Sequence, residues 1–352
     1  MKKLYDCVNY IEDVQEVAML ELPWDKLRNK NLMLSGATGQ IGSFLTDVLL
    51  YRNSHYGMGC KIYALGRNRE KAWNRFGSYL DGIYFMEHDI NKPLIRPDIG
   101  RVNYVLHLAS NTHPVAYVSD PIGTITANII GTVNLLDFAV EHGVERFVFA
   151  SSNEVYGENR GDVEKFDEVY CGYIDCNTMR AGYPESKRCG EALCQAYIKQ
   201  KGMDVVIPRL TRTYGPTLLP TDTKALSQFI HKAVSNEDIV LKSVGTQYYS
   251  YTYVADAVSG ILTVLLLGEN GEAYNIADDA SDIQLKDLAA IVAESVGRKV
   301  VFEIPDETEK AGYSKASKAR LESRKLQKLG WKALFPIEKS IKRTIEILKE
   351  IR

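Results

Sequence analysis

The sequence predicts an α/β protein built on a doubly wound parallel sheet, with a smaller C-terminal lobe facing the substrate. Three observations predict it. A chain of 352 residues is long enough for two domains, or for one large α/β domain with an appended lobe. Short apolar runs alternate with amphipathic stretches, as parallel strands joined by crossover helices require. A glycine-rich turn, Gly36-Ala37-Thr38-Gly39-Gln40-Ile41-Gly42, sits between the first such run and the first such stretch.

Residues 1–30 form an N-terminal extension in which Ile11, Val14, Val17 and Leu20 draw a rough helical stripe with no chemistry attached. Asn31–Ser35 reads as a buried strand, and Ile41 to about Tyr51 as the helix after the glycine turn. Lys61–Leu65 (strand), Asn68–Phe76 (helix), Ile83–Glu87 and Tyr104–Leu108 (strands) continue the alternation. A long helix over Thr124–Glu141, a strand over Arg146–Ala150, a helix over Pro184–Lys201 and a strand over Asp204–Arg209 complete it. Beyond Thr213 the pattern loosens: Pro216 and Pro220, a helix near Lys224–Ser235, a Tyr-rich segment over 245–253, then basic helices. Residues 31–212 therefore read as a dinucleotide-binding, Rossmann-type domain and 213–352 as mainly a substrate-binding lobe, some of it returning to the sheet.

Lys plus Arg number 43 against 45 Asp plus Glu, without long like-charge runs, which predicts neither a nucleic-acid nor an anionic-membrane partner. The first residues mix acids among the apolar ones, and the apolar stretch Ile261–Leu267 is far short of the roughly 20 residues that span a bilayer. A cytoplasmic protein is expected. Its six cysteines, among them Cys171, Cys176, Cys189 and Cys194, then read as free thiols. The histidines show no metal-ligand spacing, so no metal is expected.

In the glycine turn, Gly36 allows the tight bend, Gly39 lets a pyrophosphate approach the backbone, and Gly42 lets helix and strand pack closely. Thr38, Gln40 and Ile41 complete a phosphate site at the helix N-terminus. The second strand ends Gly66-Arg67-Asn68-Arg69, with no acid for a ribose 2′-hydroxyl and two guanidinium groups for a 2′-phosphate. The cofactor is therefore NAD or NADP, with NADP favoured. Asp89, followed by Ile90, is a candidate for the adenine amino group.

Tyr183 and Lys187 stand four residues apart at a helix start, so they share a face. A lysine beside a cationic nicotinamide favours the phenolate, making Tyr183 a general base. Ser152 begins where a strand ends, the edge at which open α/β sheets place their active sites, and can share the substrate proton. His107 reads as a packed core histidine, and the tyrosines over 248–253 as packing residues.

On these motifs, together with HLAS at 107–110, Asn128 and RTYGP at 212–216, the chain resembles the extended short-chain dehydrogenases/reductases of the NAD-dependent epimerase/dehydratase family. The resemblance implies a nucleotide-sugar substrate, cofactor contacts at Leu108, Ala109 and Ser110, and hydride removal, usually at C4, by Ser152, Tyr183 and Lys187. It also makes Glu154 an acid/base for a second proton transfer, because hexose 4,6-dehydratases and glucuronate decarboxylases commonly carry Glu there. Asn153 departs from the Asp of deoxythymidine-diphosphate-glucose dehydratases, and Arg180 with its surroundings resembles the decarboxylases. Arg212 stands where the family usually has Asn and Tyr249 where it usually has a phosphate-binding Arg; Ser152, Asn153, Arg180, Arg212 and Tyr249 are the expected substrate contacts. Dehydration or decarboxylation of a 4-keto intermediate is the leading expectation. A 4-epimerase and an NADPH-dependent keto-sugar reductase are the alternatives. The resemblance further implies a homodimer through the long helix, where Ile129, Val133, Leu136 and Val140 are compatible with a contact.

Overall fold

The computed structural model describes residues 3–77, 82–96, 98–112, 117, 119–303 and 317–352. In chain order its elements are α1 (Val8–Ala18), β1 (Asn31–Ser35), α2 (Gln40–Tyr56), β2 (Lys61–Gly66), α3 (Arg69–Phe76), β3 (Ile83–Glu87), β4 (Tyr104–His107) and α4 (Pro121–Glu141). Next come β5 (Arg146–Phe149), β6 (Ser151–Ser152), α5 (Gly182–Lys201), β7 (Val205–Leu210), β8 (Arg212–Tyr214), α6 (Ala225–Val234), β9 (Ile239–Leu241) and β10 (Tyr248–Tyr253). The remainder are α7 (Val254–Leu267), β11 (Ala273–Ile276), β12 (Asp282–Gln284), α8 (Leu285–Glu294), β13 (Val300–Phe302), β14 (Lys318–Ala319), α9 (Arg324–Gln327) and α10 (Ile337–Glu350).

The main sheet runs β11-β7-β5-β4-β1-β2-β3, with β6 joined to β7, and every pairing is parallel. Leu32, Met33 and Leu34 are fully buried, the continuous apolar run expected of a strand covered on both faces. Strand order reverses between β1 and β4, where Ser35 lies opposite His107, so a crevice opens beyond their carboxyl ends.

The expected elements all form, with ends shifted for local reasons. Helix α4 starts three residues early because Asp120 accepts the Gly123 N–H (3.0 Å) and Pro121 opens the first turn. Helix α5 starts at Gly182, so Pro184 falls in the first turn, where a missing N–H breaks no helix bond. The expected 146–150 strand divides, and its second part, β6, pairs Ser152 with Leu210 of β7. The boundary expected at 212/213 falls inside β8, which pairs with β10 in the lobe, while β11 returns from the lobe to the main sheet beside β7. The lobe adds β12-β10-β14 and the pair β13-β9.

Helix α1 buries Tyr10, Val14, Val17 and Ala18, and Leu20 lies past its end. Its Asp13, fully buried, accepts from Tyr253 (2.5 Å) and from Arg343 Nε of α10 (2.5 Å), tying both chain ends to β10. Helix α4 is long and apolar enough to cross a membrane by length and composition alone; it packs along α5 and buries Thr124, Asn128, Thr132 and Leu135. Leu136, expected at a dimer contact, is instead fully buried in the chain's own core. All six cysteines are free thiols.

Candidate active site

Gly36 has φ +75°, and a Cβ there would lie 2.8 Å from the Ala109 nitrogen, because the turn after β1 presses on the loop after β4. At Gly42 a Cβ would lie 2.3 Å from the Gly36 carbonyl oxygen. The α2 N-cap is Gly39, which has no side chain to cap the first-turn N–H groups, so they remain available to a phosphate. This cradle fits a dinucleotide. Gly36, Gly39, Gln40, Ile41, Gly42, Leu108 and Ser110 line a cavity of about 850 Å³ that also holds Ser152, Asn153, Glu154, Arg180, Tyr183, Lys187, Arg212 and Tyr249.

Thr38, Arg67, Asp89, Ile90 and Ala109 stand outside that lining. Ala109 donates its N–H to Ser35 Oγ (3.2 Å). Asp89 accepts the Asn91 N–H (3.1 Å), and Ile90 packs on Gly131 of α4, leaving that glycine no room for a side chain. Arg69 reaches toward Glu87 of β3 (3.5 Å) and over the Phe85 ring, while Arg67 is exposed just past β2.

Ser152 ends β6, and its Oγ accepts the Glu154 N–H (3.2 Å), opening a short turn over Asn153–Tyr156. Tyr183 and Lys187 lie on successive turns of α5 and are both buried. Lys187 Nζ donates to the Ala150 carbonyl (2.8 Å). Asn128 links the site from α4: its Oδ1 accepts from Ser110 (2.8 Å) and its Nδ2 donates to Ser186 (2.9 Å), whose hydroxyl donates to the Tyr183 carbonyl (2.8 Å).

Burial, reinforced by the Glu154 charge, holds the Tyr183 phenol well above its ordinary range, and hydrogen bonding with Ser152 and the Arg180 charge pull only partly the other way. Without a cofactor's charge in the site, desolvation outweighs the nearby cations at this phenol. Burial pushes Lys187 down to about 8, with Glu191 opposing.

Glu154 accepts from Arg180 Nη2 at 2.9 Å. Arg180, expected on the substrate, thus meets Glu154 first; it also lies 4.8 Å over the Tyr117 ring, which stacks on Tyr183 at 5.0 Å. Arg212 lies over Tyr249 with 3.5 Å from Cζ to the ring centroid. His107 is a core histidine, bonded through Nδ1 to Ser35 Oγ (2.7 Å), and burial takes it down to about 3.

Sequence reasoning missed Tyr117 and Glu191. Glu191 accepts from Ser151 (2.5 Å) and, through both oxygens, from Arg209 (3.0 and 2.7 Å), and its charge acts on Lys187. Its place four residues after Lys187 on one helix was the available signal. Tyr117 had none.

Fold and site together define an enzyme of the extended short-chain dehydrogenase/reductase class. The chain belongs to the NAD dependent epimerase/dehydratase family, whose model matches residues 32–277. It is 30% identical over 322 residues to UDP-glucuronic acid decarboxylase 1 of Xenopus tropicalis, covering 91% of this chain and 72% of that one. It is 31% identical over 284 residues to UDP-glucuronic acid decarboxylase 5 of Arabidopsis thaliana, covering 79% and 80%. Among solved structures it resembles a UDP-glucose 4-epimerase from Thermotoga maritima, with TM-score 0.76, 23% identity and coverage of 91% and 99%. A dTDP-glucose 4,6-dehydratase from Streptomyces venezuelae matches with TM-score 0.77, 24% identity and coverage of 91% and 97%.

Proposed function

We propose that this enzyme decarboxylates a nucleotide-activated hexuronate through a 4-keto intermediate. The observation that carries the reading is Glu154, anchored by Arg180 in the same cavity as Ser152, Tyr183 and Lys187 and close enough to raise the Tyr183 phenol. A nicotinamide dinucleotide, held by the Gly36–Gly42 cradle and by Lys187, supplies hydride acceptance and return, and in its oxidised form a positive charge that favours the phenolate. Tyr183, with Ser152 sharing its hydrogen bond, takes the proton from the C4 hydroxyl as C4 becomes a ketone. The C6 carboxylate is then β to a carbonyl: the C5–C6 bond breaks, carbon dioxide leaves, and the electron pair passes to the C4 oxygen as an enolate. Glu154 manages the proton that C5 regains, and reduction of C4 restores the alcohol without net cofactor use. On a neutral sugar the same Glu154 would instead remove the C5 proton and expel the C6 hydroxyl.

The relatives named as UDP-glucuronic acid decarboxylases favour the first course. Incubation with UDP-glucuronate, UDP-glucose, dTDP-glucose and GDP-mannose, with NAD+, NADP+ or NADPH, and mass analysis of products tests it. Loss of carbon dioxide without net cofactor change is expected from UDP-glucuronate. Glu154→Gln is expected to slow product formation roughly 10²- to 10⁴-fold. An undiminished rate with unchanged product mass assigns a 4-epimerase instead.

The exposed Arg67 after Gly66 supports acceptance of a 2′-phosphate. Arg67→Ala is expected to weaken NADP+ several-fold while leaving NAD+ affinity in place, and equal effects on the two would remove the NADP preference. A homodimer on α4 and α5 is the assembly we place here, using the exposed Ile122, Ile125, Ile130 and Val140. Light scattering with Ile130→Glu reads it directly. Six unpaired thiols are in keeping with a cytoplasmic setting.

A further inference from the structure

Arg212 and Tyr249, two of the expected substrate contacts, form one unit. Arg212 opens β8 and pairs in register with Tyr251 of β10; Tyr249 lies two residues earlier on that strand, so both tyrosines project to one face. Arg212, Tyr249 and Tyr251 all line the cavity that holds Ser152, Glu154 and Tyr183. The guanidinium carbon lies over the Tyr249 ring, 3.5 Å from its centroid. Tyr249 is only 6% exposed, and the charges of Glu154 and Arg180 reach it, which sets the pair beside the reacting end of the cavity.

Arg212 Nη1 is buried and finds no hydrogen-bond partner among the described residues. An orphaned buried donor is costly to keep and calls for an explanation. Other cations on this cavity have a charged or carbonyl partner, Arg180 in Glu154 (2.9 Å), Lys224 in Asp222 (2.9 Å) and Lys187 in the Ala150 carbonyl (2.8 Å), although Arg180 Nη1 is likewise buried without one among the described residues. A guanidinium held over an aromatic ring has its side chain already ordered, and an unpartnered Nη1 leaves it an N–H edge to offer an oxygen acceptor. A carboxylate or a phosphate matches the guanidinium fork.

We propose that Arg212, oriented by Tyr249, is an oxyanion clamp that selects the substrate. The proposal rests on the nucleotide-sugar reading. The oxyanion is one the substrate carries near its reacting ring, either a sugar carboxylate or the sugar-linked phosphate, and both present the same acceptor geometry.

The test uses full-length Tyr183→Phe protein saturated with NAD+, so that ligand stays unconverted, and titrates UDP-glucuronate and UDP-glucose calorimetrically. Adding Arg212→Gln is expected to raise the UDP-glucuronate Kd roughly 10- to 100-fold while NAD+ affinity holds. If UDP-glucose weakens equally, the clamp holds the phosphate; if UDP-glucose is unaffected, it holds the carboxylate. Unchanged Kd for both overturns the proposal. Arg212→Lys keeps the charge but not the fork, and is expected to give an intermediate Kd; wild-type affinity there overturns the bidentate clamp. Tyr249→Leu is expected to raise Kd severalfold, and Arg212→Gln with Tyr249→Leu to be no weaker than Arg212→Gln alone, since one unit has been lost. Additive losses overturn the coupling. Failure of the Tyr183→Phe protein itself to bind either ligand overturns the nucleotide-sugar reading and the clamp together.

Discussion

Glu191 shows how a residue that touches no reacting atom can set the site's chemistry. Its carboxylate takes two hydrogen bonds from Arg209 and one from Ser151, and its charge opposes the burial that draws Lys187 down to about 8. Removing that negative charge lets the Lys187 proton leave more easily. Glu191→Gln is therefore expected to move the alkaline limb of the kcat profile to lower pH, beyond any loss from the weakened Arg209 pair, for which breaking a buried ion pair costs about 3–5 kcal/mol. An unmoved limb would reduce Glu191 to a structural role. Lys187, Tyr183 and Ser152 were legible as a spacing on a helix and a strand end; Glu191 offered only its place one turn after Lys187, because its partners Ser151 and Arg209 come from β6 and β7.

Among the elements, the β1–α2 unit carries the most information per residue. Strand, turn and helix were all legible, since a strand buried on both faces reads as an apolar run and the turn needs glycine where φ is +75°. Gly36→Ala would place a Cβ 2.8 Å from the Ala109 nitrogen and force a left-handed backbone on alanine. We expect a lower Tm and a dinucleotide Kd raised at least tenfold, read by titration of NADH fluorescence; native affinity would mean that the turn relaxes without consequence. What this unit did not announce was its neighbour: the contact with β4 follows from sheet order, which alternation alone leaves open.

Across the whole molecule, buried carboxylates fasten distant segments. Asp256 of α7 accepts the Leu334 and Phe335 N–H groups (2.7 and 3.2 Å), and Asp13 of α1 holds Tyr253 and Arg343. Burial raises Asp256 from 3.8 to about 7 and Asp13 from 3.8 to about 6, against the hydrogen bonds each accepts. Each carboxyl therefore holds its proton more tightly folded than unfolded. Their proton-linked stabilisation is complete below 3.8 and is lost as pH rises through about 6 for Asp13 and about 7 for Asp256. The free energy of unfolding should decline across that window in the parent protein and decline less in Asp256→Asn, measured by urea denaturation at pH 5 and at pH 8. Parallel profiles would mean that Asp256 does not titrate there. Asp13→Ala leaves Arg343 and Tyr253 without their shared acceptor and should lower Tm by several degrees, so the N-terminal extension, silent on chemistry, is expected to matter for stability.

The sequence by itself determined the fold class, the order of strands and helices, the dinucleotide cradle and the Ser152, Tyr183 and Lys187 set, because each is written in local spacing that obeys a period or a turn. Only the tertiary structure decided that Arg180 is taken by Glu154, that Arg69 turns to Glu87, that Tyr117 covers Tyr183, and that Arg212 and Tyr249 form one stacked pair. These are pairings between side chains brought together by sheet register and helix packing, and their energies depend on burial that no single segment carries within itself.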